Sequence, residues 1–259
     1  MAKQICLSVM IISLITVPLF SSPQSYQPEI SSKHIKLGIE AEFFDRLIKW
    51  DENLDQTSSL KSYLFLLKPG YEIIEGTFVS AVLGYSLSNF DQMIFRELPF
   101  SLELNTGYID GIALGGNVLA RIIDYSDFTL TVRGQFIYYM GFKDQWEIPG
   151  LNVEGTATGT PSWARLAAGP KVSFHVSEYL RPYVSAQYDR LWGTFNMEEE
   201  IEELSGEQDM KIESKSCINF SVGVLYEIID QLDLKAEASV LPLESSIGLS
   251  IMAGAIYSF

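Results

Sequence analysis

Apolar and polar residues alternate along most of the chain from residue 35 onward. In the stretch FTLTVRGQFIYYMGF (128–142), one set of alternate positions is mostly large and apolar, and the other contains Thr, Arg and Gln. A period of two over such lengths is typical of a β-strand with one apolar face, and no stretch after Ser32 has the period of a helix. We predict ten strands, at 35–48, 60–72, 76–88, 108–123, 127–142, 163–176, 181–194, 214–228, 232–242 and 246–259.

The predicted connections alternate in length. Those after the second, fourth, sixth and eighth strands are short: IIEG, DYSD, SEYL and IIDQ. Those after the first, third, fifth and seventh are longer, with about a dozen residues from Lys49 and about twenty each from Asn89, Lys143 and Phe195. This asymmetry is typical of an up-and-down barrel in an outer membrane. The predicted fold class is therefore all-β: a closed antiparallel transmembrane β-barrel of about ten strands, with eight as the alternative.

Alternation alone does not say which face of the barrel wall is apolar, because a soluble barrel such as a lipocalin also alternates. Three features favour an apolar face toward lipid. The polar face is rich in Gly, Ser and Ala, which suits a crowded lumen. Aromatic residues cluster near strand ends, where the headgroups of a bilayer lie. Most predicted strands also exceed the ~9–11 residues that cross a bilayer. A secreted soluble barrel is the alternative.

With the apolar face outward, the charged residues of the strands face the lumen. An unpaired charge in a narrow interior costs several kcal/mol, so opposite signs are expected to pair there. The predicted lumen charge network consists of Glu40, Glu42, Lys68, Arg121, Arg133, Arg165, Lys171, Asp189, Glu227, Lys235 and Glu237. Lys36 and Glu72 face the same way, which makes the two signs nearly balanced.

The excess of acidic residues is expected outside the barrel. The chain has 18 Lys and Arg against 33 Asp and Glu, a net charge of −15. The segment MEEEIEELSGEQD (197–209) carries seven of the carboxylates, and WDENLD (50–55) carries three. Such acidity argues against nucleic acid as a partner. The 197–209 segment is either a solvated charge run or a weak site for Ca²⁺ or Mg²⁺. No cofactor is expected.

The first 25 residues, MAKQICLSVMIISLITVPLFSSPQS, have Lys3, an apolar stretch and then small polar residues. This pattern predicts a secretory signal peptide at 1–25, with a retained anchor helix as the alternative. Residues 26–259 would then form a single barrel domain. Cys217 is the one thiol of that domain, so an intramolecular disulfide is not expected.

The final strand carries a recognisable signature in SSIGLSIMAGAIYSF (245–259). Phe259, Tyr257, Ala255 and Ile251 match the assembly signal of Gram-negative outer-membrane barrels, in which a terminal Phe follows apolar residues at alternate positions. The chain resembles the small-barrel family that includes the OmpA-like transmembrane domains, although many small relatives have eight strands. The resemblance implies residence in the cell outer membrane, contact with its lipid including lipopolysaccharide, and insertion by the barrel-assembly machinery.

Catalytic chemistry has one candidate, the sequence His175-Val176-Ser177-Glu178. It puts a base, a hydroxyl and a carboxylate close together, as in barrel lipases. The predicted strands place it at a short turn, where a lone turn histidine is the competing interpretation. Outer-membrane proteases group Asp and His at the extracellular rim, and neither His34 nor His175 lies in a long connection.

We therefore expect a protein that is not an enzyme: a membrane anchor that presents long extracellular loops to an unknown partner. A narrow porin-like channel for small solutes is the first alternative, and an outer-membrane lipid hydrolase is the second.

Overall fold

A computed structural model describes residues 34–50, 57–91, 93–95, 102–104, 106–147, 155–201, 204–242 and 247–259. The predicted signal peptide (1–25) lies outside the described residues. Among the described residues, no helix is long and apolar enough to cross a membrane. The strands are β1 (Ile35–Trp50), β2 (Thr57–Ile74), β3 (Thr77–Phe90), β4 (Met93–Phe95), β5 (Leu102–Leu104), β6 (Tyr108–Asp124), β7 (Phe128–Gly141), β8 (Asp144–Glu147), β9 (Gly155–Phe174), β10 (Leu180–Ile201), β11 (Leu204–Ile229), β12 (Leu232–Pro242) and β13 (Ile247–Ser258).

Ten strands close into one antiparallel ring, so the predicted up-and-down barrel is confirmed. Its order is β1, β2, β3, β6, β7, β9, β10, β11, β12 and β13, and β13 returns to pair with β1. The short strand β8 pairs with the N-terminal end of β9, and β4 and β5 form a separate two-stranded hairpin. The turn between β2 and β3 is tight because Gly76 has a φ of 78°, a left-handed value that favours glycine.

Several strands extend further than the sequence pattern predicts. Strands β10 and β11 continue as a hairpin to Ile201 and Leu204, so the predicted connection of about twenty residues from Phe195 is wrong. Strand β9 likewise begins at Gly155, well before the predicted position 163. Much of what was expected to be long extracellular loops is therefore regular sheet that continues the barrel wall.

The lower section of the barrel, nearer the short turns, has an apolar outer face. Ile39 on β1 and Ile251 on β13 are large side chains, yet 60% and 63% of their surfaces are exposed. By contrast, Arg133 and Lys171 point inward and are only 9% exposed. A continuous apolar belt of this kind matches the lipid-facing band of outer-membrane barrels. The prediction that the apolar face of the strands points outward is therefore confirmed.

The upper section, at the other end of the same strands, has the opposite arrangement. In β10, the outward Tyr188 and inward Gln187 give way beyond Trp192 to an outward Thr194 and an inward Phe195. Strand β11 has 26 residues, more than twice the ~9–11 that cross a bilayer. The upper section is therefore built like a water-soluble barrel. Its outward residues include Thr158, Thr160, Asn196, Glu198, Glu207 and Asp209.

The ring changes its number of strands between the two sections. Strand β12 ends at Pro242 and β13 begins at Ile247, below the top of their neighbours. Above that level, β1 pairs directly with β11, with Lys49 opposite Glu213. The barrel thus has ten strands in its lower section and eight where β1 meets β11.

A charge in the middle of the apolar belt tests which part of the wall faces lipid. Ile39→Arg should lower the free energy of unfolding in lipid vesicles by about 2–4 kcal/mol, because the guanidinium would lie near the bilayer midplane. Thr160→Arg places the same side chain on the outer face of the upper section and should change that free energy by less than about 0.5 kcal/mol. Denaturant titration of both variants makes the comparison. Equal effects would contradict the assignment of the two sections.

Candidate functional site

The lumen of the lower section holds a chain of five ionised side chains, each on an inward position of its strand. Glu40 binds Lys68 and lies 3.4 Å from Lys235 Nζ. Lys235 Nζ is also 3.7 Å from Glu237, and Glu237 is 3.1 Å from Arg133 Nη1. Strands β1, β2, β7 and β12 supply these groups. The pair Arg133–Glu237, 104 positions apart in sequence, ties distant parts of the barrel wall together.

Tyr183 joins this chain through its hydroxyl, which donates to Glu237 Oε2 at 2.8 Å. Its ring lies over Gly223, where any Cβ atom would clash with the ring and its hydroxyl. The Lys171 ammonium lies 4.0 Å from the centre of the same ring, as a cation–π contact. Gly223 therefore permits the close approach that places a tyrosine between two charged groups.

Two further ion pairs lie above this chain. Arg165 donates to both oxygens of Glu42 at 2.8 Å, and Ser250 Oγ donates to Glu42 Oε1 at 3.1 Å. Higher still, Arg46 Nη1 is 2.8 Å from Asp189 Oδ1. All four charged side chains are buried. The attraction within each pair therefore offsets the free-energy cost of removing both charges from water.

The other residues of the predicted network lie nearer the short turns. Arg121 is 35% exposed and pairs with Glu75 and Asp124, at the turns that follow β2 and β6. Glu227 is half-buried, 3.5 Å from Arg181. The structure thus brings nine of the eleven predicted residues into the buried lumen and leaves these two at its lower edge.

Sequence reasoning missed Arg46, although a signal for it was present. Position 46 has the same parity as Glu40 and Glu42, and the predicted strand 35–48 included it. Continuing the inward face of β1 from Glu42 through Phe44 would have placed Arg46 in the lumen. Its partner Asp189 was in the predicted network.

Above the ion pairs, the lumen of the upper section is filled by a packed apolar core. Trp163 stacks on Tyr139 with ring centres 5.3 Å apart and meets Phe44 edge-on at 5.5 Å. Phe195 packs edge-on against Phe90, with ring centres 5.3 Å apart. The Trp163 indole N–H donates to Ser88 Oγ and the Tyr139 hydroxyl to the Ile109 carbonyl, so these polar atoms are satisfied as well.

A small cavity of about 40 Å³ lies beside the upper ion pairs. Three buried polar atoms of its lining residues lack a protein partner: Arg46 Nη2, Gln135 Nε2 and Asn219 Oδ1. A few water molecules would fit this volume and satisfy such atoms. The cavity is far smaller than the ~300–1,000 Å³ of a typical ligand pocket.

The catalytic candidate lies at the short-turn end. His175 Nδ1 is 3.2 Å from the Ser126 carbonyl oxygen, and its Nε2 is 3.4 Å from Thr129 Oγ1. Ser177 Oγ accepts the backbone N–H of Leu180, as in an ordinary turn. These contacts fit a structural role for His175. Within the described ranges, no group of three His, Cys, Asp or Glu side chains could hold a metal ion.

The described part of the acidic segment 197–209 forms the tops of β10 and β11 rather than a loop. Glu198 lies opposite Glu207 on the outer face and pairs with Lys143 at 2.7 Å. The hydrogen bond and positive charge of Lys143 hold the pKa of Glu198 below its usual value. Glu198, Glu207 and Asp209 thus lie on the outside of the upper section.

Three residues of the predicted assembly signal, Ile251, Ala255 and Tyr257, lie on β13, which closes the ring between β12 and β1, and Phe259 follows directly after that strand. Ile251 and Phe259 are exposed on the outer face, and Tyr257 packs against Phe259 with ring centres 4.8 Å apart. The backbone N–H of Phe259 donates to the Ile35 carbonyl at 3.0 Å. Their role in assembly stays a prediction.

Proteins of known structure share this architecture. The translocator domain of the autotransporter NalP from Neisseria meningitidis is 12% identical, with a TM-score of 0.50 over 100% of this chain and 97% of that chain. The outer membrane protease OmpT from Escherichia coli is 10% identical, with a TM-score of 0.51 over 88% of this chain and 98% of that chain. At such identities the likeness concerns the fold alone, and that fold is the outer-membrane β-barrel. No protein-family model and no curated protein sequence matches this chain.

The Glu42–Arg165 pair offers a direct test of the lumen network. Arg165→Met should lower the free energy of unfolding in detergent by about 3–5 kcal/mol, because Glu42 would remain buried and charged without its partner. The double variant Glu42→Leu/Arg165→Met removes both charges and should cost less than the single one.

The matched control for this test is an exposed pair. Lys143→Met breaks the contact with Glu198, in which both side chains are exposed, and should change the free energy of unfolding by at most about 1 kcal/mol. Denaturant titration measures these three variants and the single variant Glu42→Leu, which the comparison with the double variant requires. A double variant as unstable as the sum of its single changes would count against mutual compensation.

Proposed function

We propose that this protein resides in the bacterial outer membrane as a closed, non-conducting barrel that anchors its upper section at the cell surface. The observation that carries the proposal is the blocked lumen, in which three levels of ion pairs lie beneath a packed aromatic core. The apolar belt of the lower section supports membrane residence, and the fold shared with outer-membrane proteins supports this particular membrane.

A solute moving through the lumen would have to disrupt both barriers. Trp163, Phe195 and Leu191 have no exposed surface, so no water-filled path passes between them. Below them, the carboxylate of Glu42 is held by two hydrogen bonds from one guanidinium. Close-packed protein interiors resist opening, because a gap removes van der Waals contacts of the side chains that line it. This packing supports an anchor rather than the channel alternative.

The difference between the two ends of the barrel supports one orientation of the protein in the membrane. Outer-membrane barrels carry short turns on the periplasmic side and longer extensions on the extracellular side. Here the short turns follow β2, β6, β9 and β11, and the upper section with its acidic outer face lies at the other end. We place the upper section outside the cell, where it can meet an extracellular partner.

Conductance measurements test the closed lumen. The purified full-length chain, inserted into a planar lipid bilayer, should give no steady current above the noise of the bare bilayer, because side chains of the described strands fill its lumen. A general porin inserted under the same conditions serves as the positive control. Stable, stepwise currents from this protein would overturn the anchor proposal and favour the narrow channel.

Cysteine labelling on intact cells tests the orientation. In a Cys217→Ser background, Thr160→Cys on the upper section should react with a membrane-impermeant maleimide. Ser126→Cys, in the short turn after β6, should react only after the outer membrane is permeabilised. Labelling of Ser126→Cys first would show that the barrel has the reverse orientation.

A further inference from the structure

Four basic side chains are concentrated on one side of the barrel, in a protein with a net charge of −15. They surround a single carboxylate, Glu213. We call this group the basic patch, and it consists of Lys49, Arg190, Lys211, Lys215 and Glu213. All five side chains are exposed.

The strand register places these residues next to one another. Lys49 on β1 lies directly opposite Glu213 on β11, and Trp192 on β10 lies opposite Glu213 on its other side. Lys211 and Lys215 are two positions above and below Glu213 on the same outward face. Since neighbouring strands are ~4.8 Å apart and alternate residues ~7 Å apart, the patch spans roughly the size of one lipid headgroup.

Ion pairs within the basic patch involve only some of its basic side chains. Arg190 Nη2 lies 3.7 Å from Glu213 Oε1, and its guanidinium carbon is 5.7 Å from the centre of the Trp192 ring. Among the residues that the structure describes, Lys49 and Lys211 form no ion pair. By formal charge the patch therefore has four cations against one carboxylate, and the next carboxylate on this face of β11 is Asp209, two positions above Lys211.

The basic patch lies at the boundary between the two sections. Two positions below Arg190 is Tyr188, an exposed aromatic residue at the top of the apolar belt. Directly beneath the patch, β12 and β13 end at Pro242 and Ile247, and the outer faces of these strands expose Val240 and Leu249. Where the ring changes from ten strands to eight, the outer wall therefore has a step at the top of β12 and β13. Apolar side chains lie below this step, and the cations of the basic patch lie above it.

This arrangement matches the chemistry of a lipid that has acyl chains and a phosphorylated head. Acyl chains can lie along the short β12–β13 hairpin while phosphate groups reach the lysines above the step, where cations attract a charged headgroup layer. We infer that the basic patch binds the phosphates of a glycolipid in the outer leaflet, a lipid A-type molecule. The leaflet assignment rests on the proposed orientation, whereas binding by the purified protein does not.

The test uses folded full-length protein in neutral detergent, with bisphosphorylated lipid A as the probe. Native mass spectrometry or a fluorescence titration measures the dissociation constant. The double variant Lys49→Gln/Lys211→Gln should weaken binding by about fivefold for each cation removed, or about 25-fold in total. Lipid A stripped of its phosphates should bind the wild type at least as weakly as this variant binds lipid A, because Arg190 and Lys215 remain in the variant.

The matched control, Lys61→Gln/Lys143→Gln, removes two cations that already pair with Asp91 and Glu198 elsewhere on the barrel. It should bind lipid A like the wild type. The charge-conserving Lys49→Arg/Lys211→Arg should retain binding, and heat-modifiable gel migration verifies that each variant is folded. Equal losses in the patch and control variants, or equal binding of the stripped lipid, would overturn the site, whatever the cell-labelling experiment shows about orientation.

Discussion

A β-strand that passes from lipid into water must exchange the chemistry of its two faces, and the rest of this structure follows from that constraint. In lipid, the outer face must be apolar, and the inner face can collect charges. In water, the outer face must be polar, and the apolar residues move inside. Strands β9, β10 and β11 make this exchange within their own length, near Trp192. The pairing of β10 with β11 shifts register between Asp189 and Leu191, just below that level, and then continues to the top of both strands.

The two fillings of the lumen are stabilised by different physics. The lower lumen holds ionised groups, which are tolerable there because the ring geometry supplies each carboxylate with a cation from another strand. The upper lumen holds aromatic and aliphatic side chains, which gain dispersion energy and lose contact with water. The two fillings meet at Phe44, whose ring packs on Trp163 and also lies 5.2 Å from the guanidinium carbon of Arg165.

Alternation in the sequence was enough to predict most of the strands, and the unequal connection lengths predicted the closed ring. The outward direction of the apolar face was predicted from the small residues of the polar face, the aromatic residues near strand ends and the strand lengths. Alternation was not enough to predict which charges meet. Glu42 and Arg165 are 123 positions apart, and their contact depends on the stagger that accumulates around the ring. The upper section was missed for another reason. Glu198, Glu199 and Glu200 are consecutive, so the run interrupts the period of two and resembles a loop, although β10 continues through it.

The pairing of β1 with two different strands has a mechanical consequence. Its lower part is bonded to the last strand, β13, over ten register pairs from Lys36 to Asp45, and its top is bonded to β11. Separation of β1 from β13 would therefore leave the top of β1 still hydrogen-bonded to β11. A force that pulls the wall apart around its circumference is therefore resisted by two hydrogen-bond ladders, β1–β13 and β1–β11. The junction of the first and last strands, where a barrel is expected to open most easily, is reinforced.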